Sequence, residues 1–328
     1  MTAGNVGYAS MQVIPSFRGV SAMMERELAG FMPQVGQRAG VAAGAGFTAG
    51  MGRALKIGGP LALVTAALAK SIGTAADFEQ KLSAVAAVSS ATGGQLDSLR
   101  EKALQLGADT SFSASESATA MEELVKAGVS VEGVLGGAAD AAVALAAAGG
   151  VDLATAAEIA ANSMNTFNLA AGDLPRIADL VAGAANASAI DVNDFGFSLA
   201  AAGSVADLVG LSFEDMTAGI TALGNAGIKG SDAGTSLKAM LMRLEPTTDR
   251  AATLMGELGI VTADGANQFF DASGRMKSLA DVSGVLRTAL EGQTEQQKLA
   301  TLNTLFGSDA IRAAAVLYDE GAEGIRGL

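Results

Sequence analysis

From Asp77 to the end of the chain, apolar residues recur at intervals of three and four. Ala114, Ala118, Met121 and Val125 are spaced four, three, four, so they share one face of a helix. Leu153, Ala157, Ala160, Met164 and Phe167 form a second stripe, and Val192, Phe195, Leu199 and Ala202 a third. Phe213, Met216, Ile220 and Leu223 form a fourth, followed by Ala233, Leu237, Met240, Leu241 and Leu244. The pattern predicts an all-α fold, a multi-helix Ala/Gly-rich bundle of short helices. Val134–Ala148 is apolar around most of its circumference, which predicts a buried central helix. Further helices are expected over Asp77–Ala91, Leu96–Leu106, Leu174–Ala187, Thr248–Leu258, Ser278–Glu291, Glu295–Leu305 and Asp309–Tyr318. One stretch breaks the period: Ile260-Val261-Thr262, then Asp264-Gly265, then Gln268-Phe269-Phe270. It predicts at most one small β-hairpin, near Ile260–Phe270.

Punctuation accompanies the stripes. Ser113-x-x-Glu116, Thr155-x-x-Glu158, Asp191-x-x-Asp194 and Ser212-x-x-Asp215 each place an oxygen acceptor where a helix should start. Each also puts a carboxylate three residues later, in the first turn. The cap oxygen satisfies a free backbone N–H, and the acid suits the positive helix end. Lys126-Ala127-Gly128 is a fitting stop, with a cation in the last turn and glycine beyond it. Thr92-Gly93-Gly94, Gly107 and Gly149-Gly150 read as further breaks, each expected to act as a hinge.

The first 75 residues differ. Residues 1–34 read as an N-terminal arm with a short helix over Val20–Met32. Tyr8–Ile14 reads either as a short strand ended by Pro15 or as extended arm. Residues 35–75 are a Gly/Ala-rich linker containing the most hydrophobic window, Ile57–Ala69 (IGGPLALVTAALA), which lies between Lys56 and Lys70. With 13 residues it falls short of the roughly 20 that span a bilayer. The preferred reading is a buried helix that self-associates through small residues; the other is a membrane-active segment. Residues 76–328 form the helical core domain.

Charge and chemistry narrow the function. The 328-residue chain has a net charge of −13, which argues against clamping nucleic acid, since phosphate binding rests on clustered Lys and Arg. No specific nucleic-acid binding is therefore expected. With no cysteine and no histidine, disulfides, Ser–His and Cys–His nucleophiles and His-based metal sites are excluded. Glu122-Glu123 and Glu214-Asp215 are the carboxylate pairs that acid–base catalysis would need, but both sit at expected helix starts or exposed faces. No phosphate-cradling glycine loop is present. The chain is expected not to be an enzyme, with no catalytic, cofactor-binding or metal residues and no cofactor. Only 4% of residues are aromatic, so modest stability for the size is expected.

Five segments in a fixed order carry a family resemblance: ADFEQKLSAVAAVSSATG, LREKALQLGADTSFSASESATAMEELVKAGVS, LATAAEIAANSMNTFNL, DFGFSLAAAGSVADLVGLSFEDMTAGITALGNAGIKGSDAGTSLKAMLMRL and LFGSDAIRAAAVL. This series resembles the core region of bacteriophage tail tape-measure proteins, over about three quarters of the chain. VIPSFRGV followed by a Gly/Ala-rich tract is similar to the start of many of them. The resemblance implies a virion protein that sets tail length, templates tail-tube assembly and occupies the tube lumen until it is released for genome delivery. It implies host cytoplasm as the place of assembly. Its implied partners are the major tail-tube protein, tail assembly chaperones and distal tail or tail-tip proteins, with self-association, and with host-membrane contact during ejection. It also implies that the natural chain is longer and that this is an N-terminal part. The alternative reading, from the residues alone, is a membrane-interacting or pore-forming helical protein built on Ile57–Ala69.

Overall fold

The computed structural model describes the backbone from Pro60 to Leu328 and side chains from Thr74 onward. The expectations for Tyr8–Ile14, Val20–Met32 and the Gly/Ala tract up to Gly59 lie outside the described residues. The chain divides into two units, Met1–Gly73 and Thr74–Leu328. In the first, the described backbone is helical from Pro60.

Helix α1 runs Pro60–Ser89, so the later part of the hydrophobic window and the Asp77 stretch belong to one helix. Then follow α2 (Gly93–Asp109), α3 (Ala114–Lys126), α4 (Val131–Gly149), α5 (Leu153–Thr166), α6 (Leu174–Ala187), α7 (Val192–Leu208), α8 (Phe213–Asn225), α9 (Gly230–Leu241), α10 (Asp249–Glu257), α11 (Leu279–Ala289) and α12 (Glu295–Arg326). Among the described residues there is no strand. The expected hairpin is instead two isolated antiparallel bridges, Val261 with Asn267 and Phe270 with Met276. The reason lies in the turn chemistry. Gly265 takes a left-handed φ of 85° and Thr262 N–H already bonds to Ala266 C=O at 2.9 Å, so the chain reverses too tightly to extend a ladder.

Three of the four expected caps form. Ser113 accepts from Glu116 N–H, Asp191 from Asp194 N–H and Ser212 from Asp215 N–H. The fourth shifts by three residues: Asp152, not Thr155, caps α5, accepting from Thr155 N–H at 2.9 Å and from Thr155 Oγ1 at 2.6 Å. Thr155 therefore sits inside the first turn. The break expected at Thr92-Gly93-Gly94 falls at Ser90–Thr92, and Gly93 and Gly94 open α2. Thr92 caps α2 with Gln95 reciprocating, and Gly107 lies within the helix rather than ending it.

Several helix ends are closed corners. Val129 N–H bonds back to Leu124 C=O (3.0 Å), Leu211 to Ala206 (2.9 Å) and Ile228 to Leu223 (2.8 Å). Each follows a left-handed glycine, such as Gly128 (φ 94°) or Gly210 (φ 84°). This is the Schellman stop, in which an apolar residue after the glycine folds back against the helix it has just left. Val129 and Leu211 are buried accordingly. Ser130 and Ser212 then cap the next helix at once, so two residues turn the chain and fix both helix ends.

The core lies along the expected stripes. Every residue of the α5, α7, α8 and α9 stripes named above is buried, including Phe167 and Leu244, which lie just beyond the ends of α5 and α9. Phe167 and Phe195 pack edge-on against Phe213, with ring centroids 5.4 and 6.1 Å away, and so pin α5, α7 and α8 at one point. The α4 helix is less enclosed than expected. It contains a π-helical segment, Val134–Ala138, and exposes Asp140, Ala144, Ala147 and Ala148 on one side. Asp140 pairs with Lys102 of α2 at 2.7 Å. Among the described residues α4 is the one helix long and apolar enough to cross a membrane, by length and composition alone.

Glycines inside helices make the closest contacts. A Cβ on Gly234 of α9 would stand 2.5 Å from the Ser198 carbonyl oxygen and 2.6 Å from Ala201 Cβ, both on α7. Ser198 Oγ donates to Gly230 C=O across the same seam at 2.8 Å. Asp194 and Phe197 lie beside Gly230 while Ser198 and Ala201 lie beside Gly234, so α7 and α9 run side by side in the same direction. On the other side of α9, Ser236 Oγ donates to Asp309 C=O (2.9 Å) and accepts from Ala313 N–H (3.1 Å) of α12. The α12 helix itself breaks at Gly307 and Gly321, both with φ near 65–70° and ψ of −179°, a region almost confined to glycine. The carbonyl of Phe306 at the first break accepts from Arg243.

Two predictions arise from this packing. Gly234→Ala gains helix propensity, up to about 1 kcal/mol, but its methyl meets backbone. We expect net destabilisation of about 1–3 kcal/mol in denaturant unfolding. Gly183→Ala, in mid-α6 with nothing within 4 Å of its Cβ, should instead stabilise by up to about 1 kcal/mol. Equal effects at the two sites would contradict the close-approach account. The second prediction concerns pH. The backbone and side-chain hydrogen bonds of Ser113 hold the Glu116 carboxyl below its ordinary range. A carboxyl whose folded pKa is depressed contributes stability above its unfolded value, near 4.3, and loses it as pH falls through the folded value. Glu116→Gln keeps the capping geometry without the charge. It should be less stable than the parent at pH 7, by up to about 1 kcal/mol, and should converge on it near pH 2–3. A constant difference across that range would show that the charge plays no part.

Candidate interaction surfaces and polar sites

The carboxylate pairs are the first candidates for chemistry, and each is engaged structurally. Glu122 and Glu123 both bond Lys126, at 2.7 and 3.1 Å, in the last turn of α3. These two carboxylates hold the Lys126 ammonium above its ordinary range. Glu214 pairs with Arg176 of α6. Asp215 receives the Ser212 hydroxyl at 2.9 Å, and through its other oxygen the N–H of Leu279 at 3.0 Å. Asp215 thus binds the start of α8 to the start of α11. The structure brings Glu214 and Asp215 to a cleft but keeps Glu122 and Glu123 apart from it.

That cleft, of about 490 Å³, is lined by Asp179, Leu180, Glu214, Asp215, Ser278 and Arg326, among others. Arg326 closes one side through Asp281 at 3.0 Å. A second cleft of about 490 Å³ lies between the Leu258–Gln268 loop and α11, with Lys277 and Asp281 among its few polar groups. Among the described residues no three acidic side chains converge as a metal site. Asp264 and Asp271 are held below the ordinary carboxylate range, Asp264 first by the Thr262 hydroxyl and Asp271 first by the Ser273 hydroxyl. Both serve their own turns. Lys298 is pushed up to about 12 by Glu295 and Tyr318 and stands 5.3 Å over the Tyr318 ring. None of these arrangements pairs a proton donor with a base across an open site, as general acid–base work requires.

Several large apolar side chains stay exposed among the described residues. Phe197 is 62% exposed and Leu208 83%, both on α7. Val88, Leu104, Met242 and Leu299 are also exposed, each on a different helix or helix end. Sequence reasoning placed Phe195 and Leu199 on the buried face and did not single out Phe197 or Leu208. The missed signal was an eleven-residue interval, three turns of helix, between two large apolar residues separated on that face by small ones.

The chain is 35% identical over 274 residues to the tape measure protein of Pneumococcus phage Dp-1, an overlap covering 84% of this chain and 23% of that protein. It is 29% identical over 301 residues to the probable tape measure protein of Escherichia phage P2, covering 91% of this chain and 34% of the relative. The chain thus spans roughly a quarter to a third of the length of these curated relatives. No solved structure matches. A profile of phage-related minor tail proteins matches residues 100–307, more than half the chain, and the chain belongs to that family.

Proposed function

We propose that this chain acts in a phage tail as part of a tape measure, which sets tail length, templates tail-tube assembly and occupies the tube lumen until it is released for genome delivery. The supporting observation is the alignment with two tape measure proteins over 84% and 91% of the chain. Its partners on this reading are the major tail-tube protein, the tail assembly chaperones and the distal tail or tip proteins, and it works without catalysis. The deciding experiment is genetic. In-frame deletions and duplications in the full-length gene should shorten and lengthen tails in proportion to the residues changed, at about 1.5 Å per residue if the ruler is helical. Tails of unchanged length in electron micrographs would reject the ruler role.

The Thr74–Leu328 unit bears on where this region stands. A compact unit of this size has a radius of gyration of roughly 18 Å, hence a diameter near 45 Å. Several such bodies do not fit side by side in a tube that passes one DNA duplex. The closed corners and backbone-close helix seams favour the compact form, so we place the body beyond the tube end until the chain is drawn out. Density showing such bodies stacked inside intact tubes would refute this placement. Glutamine at Glu122, Glu123, Glu214 and Asp215 together should leave particle assembly intact, since an amide oxygen still accepts hydrogen bonds. Loss of a cell-wall or peptide hydrolysis activity with assembly intact would show catalysis instead.

A further inference from the structure

The helix starts recur at a nearly fixed interval. The caps of α3, α5 and α7, Ser113, Asp152 and Asp191, stand 39 residues apart, and Lys229 opens α9 after 38 more. The helices between them keep similar time. Thr92 and Ser130 cap α2 and α4, 38 residues apart, and Asp173 and Ser212 open α6 and α8 with a spacing of 39. The step from Ser130 to Asp173 is longer, and it contains the 3-10 turn Ala171–Asp173. Position within the interval is kept too. The fifth residue after each cap of the first series is small: Ala118, Ala157, Gly196 and Gly234. A Cβ on Gly196 would stand 3.0 Å from the Ile159 side chain of α5, just as Gly234 abuts α7.

Contacts follow the same interval. Gln95 donates to Glu132 and Lys102 pairs with Asp140, both at 2.7 Å, joining α2 to α4. Asn165 at the end of α5 donates to the Ala127 carbonyl at the end of α3 at 2.8 Å, and Arg176 at the start of α6 pairs with Glu214 at the start of α8. These four bonds span 37 or 38 residues. Starts lie beside starts and ends beside ends, so the helices run in one sense within each row. One row is α3, α5, α7 and α9, and the other is α2, α4, α6 and α8. Both rows continue. The α11 helix lies on α8, where Asp215 takes the Leu279 N–H, and the part of α12 beyond Gly307 lies on α9, where Ser236 bonds Asp309 and Ala313. The α12 helix also reaches α8 and so closes that end, whereas α2 and α3 are held by α4 and α5.

We propose that this unit is an array of helix pairs with a period of about 39 residues, and that under tension along the chain it gives way one pair at a time. In an array each pair is buried against its neighbours rather than against one shared centre. Losing the end pair removes one interface and leaves the next pair as the new end, held as the lost one was. A body with a single core loses its contacts together. Each released pair adds about 39 residues, roughly 130–140 Å fully extended, in place of the roughly 10 Å that one helix occupies in its row. The array thus lets out chain in near-equal lengths. This follows from the packing and does not depend on the ruler role.

The chain has no cysteine, so Thr74→Cys and Leu328→Cys attach handles at chosen points of the full 328-residue protein. Held between optical traps, it should lengthen in several steps that cluster near about 120–130 Å each. A single step that releases the whole unit, or step lengths with no cluster near one period, would overturn the proposal. Deletions give a second measure. Removing Ser113–Val151 or Asp152–Ile190 takes out one whole period, and the cap of the next pair falls where the lost cap stood. At least one of these variants should keep a cooperative thermal melt and show one step fewer in the trap. Removing only Ser113–Val129, a single helix and its corner, reverses the sense of every helix after it and should abolish the melt. Loss of the melt in both 39-residue deletions, or its survival in the shorter one, would equally reject the array.

Discussion

The seam between α7 and α9 is the contact on which this bundle most depends. At Gly234 the backbone of one helix meets the backbone of the other, close enough that a single methyl group would collide with a carbonyl oxygen. A chain this poor in aromatic residues cannot fill wide gaps between helices with large side chains. Dispersion falls off steeply with separation, so the remaining way to pack densely is to bring the helices themselves together. Alanine, serine and glycine do this. The Ser198 hydroxyl then bonds across the seam, and Ser236 bonds from the other side of α9 into α12. Through α9, the seam links the α7 layer to the C-terminal helices.

The same economy governs the connections. The corners after α3 and α7 each use a left-handed glycine to stop one helix, a buried apolar residue to fold back, and a serine hydroxyl to start the next. Few backbone groups at these corners are left without partners, so glycine content here signals fixed geometry more than freedom. Where a long helix must bend, as α12 does at Gly307, the carbonyl at the break is met by the Arg243 guanidinium. A body held this way resists being drawn out except by an external pull.

The acidic surface and the candidate chemistry follow from these needs. Acids stand at helix starts because the free N–H groups and the dipole favour them there. Glu116, Asp152, Asp194 and Asp215 are all placed in this way. Glu122 and Glu123 instead surround the lysine at the end of α3. These carboxylates hold helix ends and ion pairs, and Glu214 and Asp215 do so at the edge of a cleft.

The sequence by itself determined the helices, their buried faces and most of their starts. Those features rest on residues within one or two turns of each other, and spacing along the chain reports them directly. The stripes from Leu153, Val192, Phe213 and Ala233 are buried as their periods require, and Ser113, Asp191 and Ser212 cap where the pattern places them. The start of α5 was displaced because Asp152 and Thr155 both satisfy the local rule, and the reversal at Gly150-Val151 selects the earlier one. Only the tertiary structure decided what the glycines do. Gly107 reads in sequence as a helix stop, yet it lies inside α2, where a Cβ would stand 2.5 Å from the Ala114 backbone nitrogen across the turn. The tertiary structure also decided which side of α7 stays open, because Phe195 and Phe197 differ only in which helices happen to lie against them. Local chemistry fixes a helix and its face, whereas closeness between helices and exposure are properties of pairs that no single stretch of sequence contains.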